Sequence, residues 1–390
     1  MQFRSSWIEI SRSALAENVG FLKGQIGLEV RFSSVIKGNA YGHGIRVFVP
    51  LAEQCGIRHF SVFSAHEAFE ALESRTENTE VMVMGVLEPD ELEWAVERGV
   101  SFYVFDLERL VEARKAAERV GRRARIHLEL ETGLHRTGLQ DGEVEEAADL
   151  ILAHRDRFSV EGVCTHYAGA ESVGNFLRIQ QQIRCFHEQC EVLRARGLAF
   201  PLRHTASSAA ALTYPETVMD MVRFGIAQYG FWPSKETQMS YLLRLDPLAN
   251  QRTAPSPLKR VISWKSRIMN IQTVKPGEWV GYGTSYQTTR LQKIAAVPVG
   301  YFHGFARSLS NLGHVLVHGR RALVVGVVEM NMMLIDVTDL PNVKKGDEVV
   351  MIGSQRKAQI TVASFSDLSR FLNYEVLVSL ADQIPRVVVD

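Results

Sequence analysis

The strongest constraint on the fold of this chain is an alternation of short β-rich runs with amphipathic segments, from about residue 28 to residue 245. Segments such as LERLVEARKAAERVG and VEEAADLILAHRDRF carry apolar residues every three to four positions, which predicts helices, and Asp106 is a predicted N-cap. The β-rich runs are EVRFSSVI, HFSVFS, EVMVMG, SFYVFD, RIHLEL, VEGVCTHYA, PLRHTAS and VRFGIAQYG. Eight strand–helix units favour a (β/α)8 barrel over an open doubly wound sheet. No G-x-G-x-x-G motif follows the first run, which disfavours dinucleotide binding.

The pattern changes after about residue 245, where RTAPSPL indicates a proline-bearing linker. The later runs are β-rich and are separated by turn signals such as KPGE and KKGD, which predicts a second, mostly-β domain. We therefore expect an α/β chain with an N-terminal (β/α)8 TIM barrel over residues 11–245. A C-terminal β-domain is expected over residues 246–390, and a strand within residues 1–10 is expected to join it.

Composition narrows the classes of function. The 390 residues include 44 basic and 44 acidic side chains, so bulk charge points to neither a nucleic-acid nor a membrane partner. The four cysteines form no C-x-x-C pair and no zinc spacing, which favours free thiols in a reducing compartment. The N-terminus lacks an apolar signal region, and no apolar run is long enough to span a membrane. These features predict a soluble, cytoplasmic protein without a metal site.

Lys37 stands where the first predicted barrel strand ends, in the stretch SSVIKGNAYGHG. Because barrel enzymes carry their chemistry at the carboxyl ends of strands, Lys37 is either a solvated strand-end charge or a nucleophile at the barrel mouth. Gly38, Gly42 and Gly44 would permit close approach of the backbone to a ligand, and Tyr41 offers a hydroxyl beside the lysine. A lysine in a dry barrel mouth loses its proton more readily and can form a Schiff base.

The stretch VIKGNAYGHG resembles the lysine motif of the alanine racemase family, V-[VI]-K-A-N-A-Y-G-H-G, with Gly38 as its one departure. Other stretches resemble family landmarks in the same order along nearly the whole chain: WIEISRSALAENVGFLK, ETGLHRTG, THYAGA, HTASSAA, RFGIAQYG, VGYGTSY, VPVGY with ARSLSN, IDVTD, and NYEVLVSL with IPR. The resemblance implies a fold-type III enzyme that uses pyridoxal 5'-phosphate to racemise an amino acid, alanine first. It also implies a homodimer with shared active sites that supplies D-alanine for peptidoglycan.

The resemblance assigns the two bases of racemisation to Lys37 and Tyr282, which would act on opposite faces of the substrate. Without it, Tyr282 of VGYGTSY is a strand tyrosine before a glycine turn, a common surface feature. An unperturbed tyrosine has a pKa of about 10 and is a poor base at neutral pH, so it needs cationic or hydrogen-bonding neighbours. His166 of THYA matches the family's histidine and could link Tyr282 to Arg223.

Arg223 of RFGIAQYG faces the pyridine nitrogen of the cofactor by resemblance, whereas an ion pair between strands is the ordinary explanation of such an arginine. An arginine keeps that nitrogen unprotonated, which makes the ring a weaker electron sink than a carboxylate would and suits a racemase. The family pattern assigns the phosphate to groups of Tyr41, Ser208, Gly225, Ile226 and Tyr374.

The stretch HLELETGLHRTG predicts a strand on which His127, Glu129 and Glu131 share one face. We expect both carboxylates to face inward near Arg136, although a solvated acidic face is the plainer explanation. By resemblance, Arg136 holds the substrate carboxylate and the phenolic oxygen of the cofactor. Many relatives place a carbamate-bearing lysine at the position of Glu129 to orient that arginine. Our hypothesis is that Glu129 supplies the carboxylate directly.

Two stretches depart from the family pattern on the substrate side. Residues 300–304 read GYFHG where the family commonly has G-Y-A-D-G, and residues 329–332 read EMNM where it has C-M-D-Q or S-M-D. By resemblance, the backbone N–H of Met330 binds the substrate carboxylate, and Tyr301 is a further substrate-side residue. A broader or different substrate, such as serine or lysine, stays open.

Other classes of protein also stay open. A non-catalytic pyridoxal-phosphate carrier is a single barrel, and the predicted second domain argues against it. A fold-type III decarboxylase usually has a glycine-rich phosphate loop and a cysteine in its second domain, whereas all four cysteines here precede residue 191. A barrel enzyme without this cofactor is the generic alternative, which the Lys37 motif disfavours.

Overall fold

The computed structural model describes residues 5–245, 256–369 and 373–390. The chain divides into two compact units. The barrel unit comprises Leu15–Lys37 and Val49–Lys259, and the β unit comprises Met1–Ala14, Gly38–Phe48 and Arg260–Asp390. The predicted boundary after residue 245 and the predicted linker residues 252–255 fall on the stretch 246–255, which lies outside the described residues.

Among the described residues of the barrel unit, eight parallel strands form the sheet, and each coincides with one of the eight β-rich runs. After β1 (Ser6–Ser11), which belongs to the β unit, come β2 (Arg31–Val35), β3 (His59–Val62), β4 (Glu80–Val83), β5 (Ser101–Val104), β6 (Ala124–Glu129), β7 (Phe158–Cys164), β8 (Leu202–His204) and β9 (Met221–Phe224). Their order is β8-β7-β6-β5-β4-β3-β2-β9. The ends of this order also meet, because Asp220 N–H donates to the Arg203 carbonyl at 3.1 Å and Arg223 N–H to the Ala206 carbonyl at 3.0 Å. The predicted barrel is confirmed.

Helices connect the barrel strands, as the apolar periodicity predicts. The helices of the described residues are α1 (Arg12–Ile26), α2 (Lys37–Tyr41), α3 (Ile45–Gln54), α4 (Ala65–Ser74), α5 (Pro89–Arg98), α6 (Leu107–Val120), α7 (Glu143–Ala153), α8 (Phe176–Ala195), α9 (Ser208–Thr213), α10 (Lys235–Leu245), α11 (Val362–Ser369) and α12 (Asn373–Val378). Of these, α2 contains a left-handed turn, and α11 and α12 belong to the β unit. Short 3-10 turns cover Val173–Asn175, Pro215–Thr217, Ile226–Tyr229, Tyr301–His303 and Arg307–Leu309. Asp106 caps α6 as predicted, since its carboxylate accepts the Arg109 N–H at 2.7 Å. Helix α7 ends earlier than its predicted segment, and the rest of that segment leads into β7.

Antiparallel strands dominate the β unit, in agreement with the predicted mostly-β texture. The antiparallel strands are β10 (Ile262–Arg267), β11 (Asn270–Val274), β12 (Gln292–Val297), β13 (His314–Val317), β14 (Arg320–Leu323), β15 (Met333–Asp336), β16 (Glu348–Gln355) and β17 (Ala358–Ile360), and β18 (Arg386–Val389) pairs in parallel. One sheet has the order β14-β13-β16-β10-β1-β18, with β17 on β16, and a second has the order β11-β12-β15. Strand β1 pairs with β10 in antiparallel and with β18 in parallel orientation, so the N-terminal strand lies in the β unit.

Buried apolar side chains form the core of each unit. In the barrel unit, one cluster consists of the buried side chains of Met82, Tyr103, Cys164 and Met221, which belong to β4, β5, β7 and β9. In the β unit, Val280, Ile294 and Val325 pack together. Within the described ranges, no helix is both long and apolar enough to cross a membrane.

Candidate active site

Lys37 lies two residues after the end of β2, at the carboxyl end of a barrel strand, and begins a left-handed turn. Residues 38–40 have φ angles of 63°, 51° and 54°. Left-handed geometry costs about 1–2 kcal/mol for each residue other than glycine, so other contacts must hold the turn. Asn39 supplies two of them: its Oδ1 accepts the Ile45 N–H at 2.8 Å, and its Nδ2 donates to Asp382 Oδ1 at 2.7 Å.

Two glycines of this turn permit a close approach within the chain itself. A Cβ on Gly42 would stand 2.0 Å from the carbonyl oxygen of Leu377, and one on Gly38 would stand 3.0 Å from Val378 Cγ1. In the structure, these glycines therefore allow close approach to the backbone and a side chain of α12. Glycine is required at Gly42 because any side chain would collide with a backbone oxygen, which cannot move aside as a side chain can.

Lys37 is an exposed residue, but its amine lies in a setting that disfavours its charge. Partial burial lowers the pKa of Lys37 first, repulsion from Arg136 and Arg223 lowers it further, and the carboxylate of Glu67 opposes the shift. A lysine with a lowered pKa is neutral in a larger fraction of molecules at a given pH, and only the neutral amine attacks a carbonyl or takes up a proton.

Arg223, on β9, is held by four hydrogen bonds from its two terminal nitrogens. One nitrogen donates to His204 Nδ1 at 2.7 Å and to the His204 carbonyl, and the other donates to the carbonyls of Thr165 at 2.8 Å and Thr205 at 3.2 Å. The guanidinium carries five N–H donors. Among the described residues, the Nε–H of Arg223 has no hydrogen-bond partner, so one donor of a rigidly held cation is available to a ligand.

A pair of buried histidines continues this network into the barrel. Because a guanidinium has no lone pair, His204 Nδ1 must be the acceptor, which places the proton of His204 on Nε2. That Nε2–H then donates to His127 Nδ1 at 2.9 Å, so His127 carries its proton on Nε2 as well. Burial, followed by repulsion from nearby cations and histidines, holds the pKa of both groups well below the usual range and keeps both neutral.

The loop after β6 carries Arg136, whose exposed side chain lies close enough to the buried Glu129 carboxylate to lower its pKa. Glu129 accepts a hydrogen bond from Thr137 Oγ1 at 2.9 Å. Burial acts in the opposite direction and more strongly, so the net pKa of Glu129 is raised. Glu131 differs from expectation: β6 ends at Glu129, and the Glu131 carboxylate accepts the His135 N–H at 2.8 Å, which stabilises the loop instead of facing the barrel interior.

His166, after β7, belongs to the same neighbourhood. Burial lowers the pKa of His166 to about 3, and repulsion from Arg223, Arg136 and Lys37 contributes in that order. A neutral imidazole can accept or donate a hydrogen bond but cannot serve as a resident cation. The barrel unit thus brings together five of the predicted residues, namely Lys37, Glu129, Arg136, His166 and Arg223.

The predicted phosphate groups of the barrel unit meet at the start of α9. Ser208 Oγ accepts the N–H of Gly225 at 2.9 Å and the N–H of Ala227 at 3.4 Å. Ile226 begins the 3-10 turn Ile226–Tyr229 and is buried. Hydroxyl and backbone N–H groups gathered at the carboxyl ends of the last barrel strands suit an anion.

The other two predicted phosphate ligands meet in the β unit. The rings of Tyr41 and Tyr374 have centroids 6.0 Å apart with an interplanar angle of 50°. Tyr41 is buried, whereas Tyr374 is partly exposed.

Tyr282 lies in the β unit, in a loop between short antiparallel stems, and 70% of its surface is exposed. The loop closes where Val280 N–H donates to the Tyr286 carbonyl at 3.0 Å. Asn311 braces it from a neighbouring turn, since its Nδ2 donates to the Ser285 carbonyl at 3.2 Å. The Tyr282 phenol therefore stands on a braced loop, open to solvent.

The two stretches that depart from the family pattern are neighbours in the β unit. Tyr301 N–H donates to the Glu329 carbonyl and Phe302 N–H to the Met330 carbonyl, both at 3.0 Å. A Cβ on Gly300 would stand 2.1 Å from the Glu329 carbonyl oxygen, so the two turns are joined backbone to backbone only because Gly300 has no side chain. The departures therefore form one surface and not two independent changes.

Sequence reasoning missed His204, the chief support of Arg223, and Thr137, which bonds Glu129. Both lie inside stretches that it singled out, HTASSAA and HLELETGLHRTG. The signal that could have found His204 is its place at the end of β8, since that strand is adjacent to β9 in a closed barrel.

The chain resembles known proteins along nearly its whole length. The family model described as the alanine racemase N-terminal domain matches residues 10–233, and the one for the alanine racemase C-terminal domain matches residues 261–388. Among curated relatives, an alanine racemase of Symbiobacterium thermophilum is 34% identical over 98% of this chain and 97% of its own length. One from Leptospira interrogans serovar copenhageni is 32% identical over 99% of this chain and 96% of its own.

Solved structures agree. An alanine racemase from Streptomyces lavendulae superposes with a TM-score of 0.89 at 28% identity and covers 100% of this chain and 98% of its own. An alanine racemase from Bacillus anthracis with bound L-Ala-P superposes with a TM-score of 0.87 at 29% identity, over 100% of this chain and 96% of its own.

Proposed function

The chain belongs to the alanine racemase family, and we propose that it interconverts L- and D-alanine with Lys37 and Tyr282 as its two bases. Members of this family are isomerases, so the class of enzyme follows from membership. The observation that supports the assignment of Lys37 best is its position: a lysine at the end of β2, with a lowered pKa, in the field of Arg136 and Arg223.

The groups of the chain fit pyridoxal 5'-phosphate. Arg223 offers its Nε–H to a ring nitrogen, and the Ser208 hydroxyl and the Ile226 N–H fit a phosphate. The Gly225 N–H, which donates to Ser208 Oγ in this structure, would exchange that bond for one to the phosphate. Tyr41 and Tyr374 would add phenol groups to the phosphate. When bound, this cofactor supplies an electron sink that acidifies the Cα–H bond of an attached amino acid.

Racemisation requires one proton to leave Cα on one face and another to arrive on the opposite face. Lys37 Nζ would take up or return the proton on one face, and its lowered pKa increases the fraction of molecules that carry the neutral amine at a given pH. Tyr282 Oη would do so on the other face. His166 is neutral and close to Arg223, and it is suited to form a hydrogen bond with Tyr282. Such a bond would link the positions of Tyr282 and Arg223.

Substrate binding would fall to Arg136, through a charge-assisted hydrogen bond to the substrate carboxylate, with the backbone N–H of Met330 as a second donor. Tyr301 lies beside Met330 on the joined turns. Glu129 would orient Arg136 electrostatically and thereby replace a carbamate-bearing lysine. If the Glu129→Gln variant kept both the KM for alanine and the turnover of the wild type, this role for Glu129 would be wrong.

A homodimer with shared sites is part of the proposal. In the β unit, Tyr282, Phe302 and Met330 are each more than half exposed, at 70%, 54% and 56% of their surfaces. Large apolar or aromatic side chains exposed together are typical of an interface. A second copy of the chain would cover them and would receive Tyr282 in its own site. Sedimentation of the purified protein at micromolar concentration tests this, with a monomer as the contrary result.

The implied role is supply of D-alanine for peptidoglycan in the cytoplasm, a compartment compatible with four free cysteines. A broader racemase acting on serine or lysine is the second candidate, because the joined turns at Phe302 and Glu329 depart from the family pattern where the substrate would sit. A fold-type III decarboxylase is the third candidate.

The test is an assay of the purified protein with added pyridoxal phosphate on a panel of L-amino acids, with both D-amino acid and carbon dioxide measured. We expect D-alanine as the principal product and a yellow protein whose visible absorption disappears in Lys37→Ala. If serine or lysine were racemised faster than alanine, that amino acid would be the substrate instead of alanine. If carbon dioxide were released instead of a D-amino acid, the enzyme would be a decarboxylase and not a racemase. A colourless wild type after cofactor addition would contradict the proposal as a whole.

A further inference from the structure

Thr137 has no role in the proposed mechanism, yet its hydroxyl donates to the buried carboxylate of Glu129 at 2.9 Å. It is also the residue next to Arg136 in the chain. A single side chain therefore connects the proposed substrate-binding arginine, through the backbone, with the carboxylate proposed to orient it.

The loop around Thr137 is fixed on both sides. Leu139 N–H donates to the Glu129 carbonyl at 2.8 Å, and Glu131 N–H donates to the Leu139 carbonyl at 3.0 Å, so the loop returns to the end of β6. A Cβ on Gly138 would stand 2.6 Å from Glu131 N, which shows how closely the returning backbone packs. With Leu139 anchored, the Thr137 side chain has a defined position against Glu129.

Opposing interactions determine the pKa of the Glu129 carboxyl group. Burial raises the pKa of Glu129, the Thr137 hydrogen bond is the largest influence that lowers it, and Arg136 and Arg223 follow. Glu131, on the same loop, raises it slightly. From the neighbouring strands, the buried phenol of Tyr103 and thiol of Cys164 also feel the carboxylate, but both are neutral because burial raises the pKa of each.

We propose that Thr137 is a positioning residue that keeps Glu129 ionised and oriented, so that Glu129 in turn holds Arg136 ready for the substrate carboxylate. The inference rests on the proposed function for the part that concerns substrate. The part that concerns Glu129 stands on the contacts of the two side chains alone. A hydroxyl that donates to a carboxylate favours its charged form, and its loss favours the protonated form.

The decisive variants are Thr137→Val, which keeps the shape and removes the donor, and Thr137→Ser, which keeps the donor. In Thr137→Val we expect the KM for alanine to rise about three- to tenfold at pH 6, with a smaller change in kcat and convergence with the wild type at pH 9. Thr137→Ser should follow the wild-type profile. Thr132→Val is the matched control, because Thr132 Oγ1 lies in the same loop but contacts Thr165 Oγ1 at 2.8 Å; it should leave the pH dependence of KM unchanged.

A second readout does not depend on catalysis. Infrared difference spectra of the holoenzyme between high and low pH should contain the band of a protonated buried carboxyl group, and Glu129→Gln should remove it. In Thr137→Val the midpoint of that band should move upward by about one pH unit. The proposal would be overturned if the midpoint did not move in Thr137→Val. It would also be overturned if the KM of Thr137→Val had the same pH profile as that of the wild type while its melting temperature was lower. A moved midpoint in a protein that fails to racemise alanine would support the link to Glu129 while refuting the proposed function.

Discussion

Lys37 acquires its chemistry from residues that are distant in sequence. Its own neighbours place it at the end of a strand, but the two arginines that add to the effect of burial in lowering its pKa are distant: Arg136 comes from the loop after β6 and Arg223 from β9. Arg223 in turn depends on His204 and, one step further, on His127. The reactivity expected of this lysine is therefore a property of the closed barrel, in which these strands converge on one mouth.

His204 provides the first test of that dependence. His204→Ala removes the side-chain acceptor of a buried guanidinium and the donor to His127. We expect unfolding to become easier by about 1–3 kcal/mol, because a buried donor of Arg223 loses its partner. The midpoint of urea unfolding of the holoenzyme measures this, together with the visible spectrum of the cofactor. His154→Ala, on a turn after α7, is the control, and equal stability of the two variants would contradict the expectation.

Gly300 is expected to be intolerant of any side chain. In Gly300→Ala the new Cβ would stand 2.1 Å from the Glu329 carbonyl and 2.5 Å from the Met330 carbonyl, so the two turns must separate. We expect a fall of several degrees in melting temperature and a higher KM, because the Met330 N–H moves with its turn. The control is Gly20→Ala, within α1, where a Cβ meets nothing within 4 Å. An unchanged melting temperature in Gly300→Ala would refute the close approach.

Among the elements, the segment between α4 and β4 depends on one buried carboxylate. Glu53, near the end of α3, accepts the N–H of Thr76 at 2.7 Å, the hydroxyl of Thr76 at 2.6 Å and the hydroxyl of Thr79 at 3.0 Å. In Glu53→Gln one acceptor oxygen becomes an NH2 group that faces other donors. We expect a loss of about 2 kcal/mol in the free energy of unfolding with kcat retained, measured by urea denaturation and the racemisation assay. Equal stability, or a selective loss of kcat, would contradict this structural role.

The elements themselves were largely predictable, and the turns were not. All eight barrel strands follow from their β-rich runs, because a strand buried on both faces needs a nearly continuous apolar sequence. The left-handed turn after Lys37 was not predictable, since its φ angles at Asn39 and Ala40 are disfavoured locally and are held by distant contacts such as that with Asp382. For the same reason the packing that requires glycine at Gly42 was not predictable: its neighbour, Leu377, is more than 300 residues away in the chain.

At the level of the complete fold, buried histidines determine how the free energy of unfolding changes at acidic pH. Burial lowers the pKa of His43 and His59 to about 4 and of His166 to about 3, and it holds the pKa of His127 and His204 well below the usual range. In the unfolded chain each imidazole takes up a proton near pH 6.5. The unfolded state therefore binds more protons as the pH falls below that value, and the native state loses stability.

We accordingly expect the free energy of unfolding to be level between pH 8 and pH 7 and to fall steeply below about pH 6.5, by up to about 1.4 kcal/mol per pH unit for each neutral histidine. Urea unfolding at pH 8, 6.5 and 5.5 measures this. A profile that stays flat to pH 5.5 would show that these histidines are not held neutral by the fold.

The assignment of Lys37 and Tyr282 to opposite faces of the substrate predicts an asymmetry that overall rates cannot reveal. Enantiomers have equal free energies, so kcat/KM for racemisation is the same in both directions for every variant. Exchange of the Cα hydrogen with solvent deuterium, followed separately for L- and D-alanine, does distinguish the faces.

The wild type should exchange the Cα hydrogen of both enantiomers. Tyr282→Phe should exchange only one of them and racemise neither, while Tyr286→Phe, changed in the same loop, should behave as the wild type. Loss of exchange for both enantiomers to the same extent in Tyr282→Phe, or retention of both, would contradict the two-base arrangement.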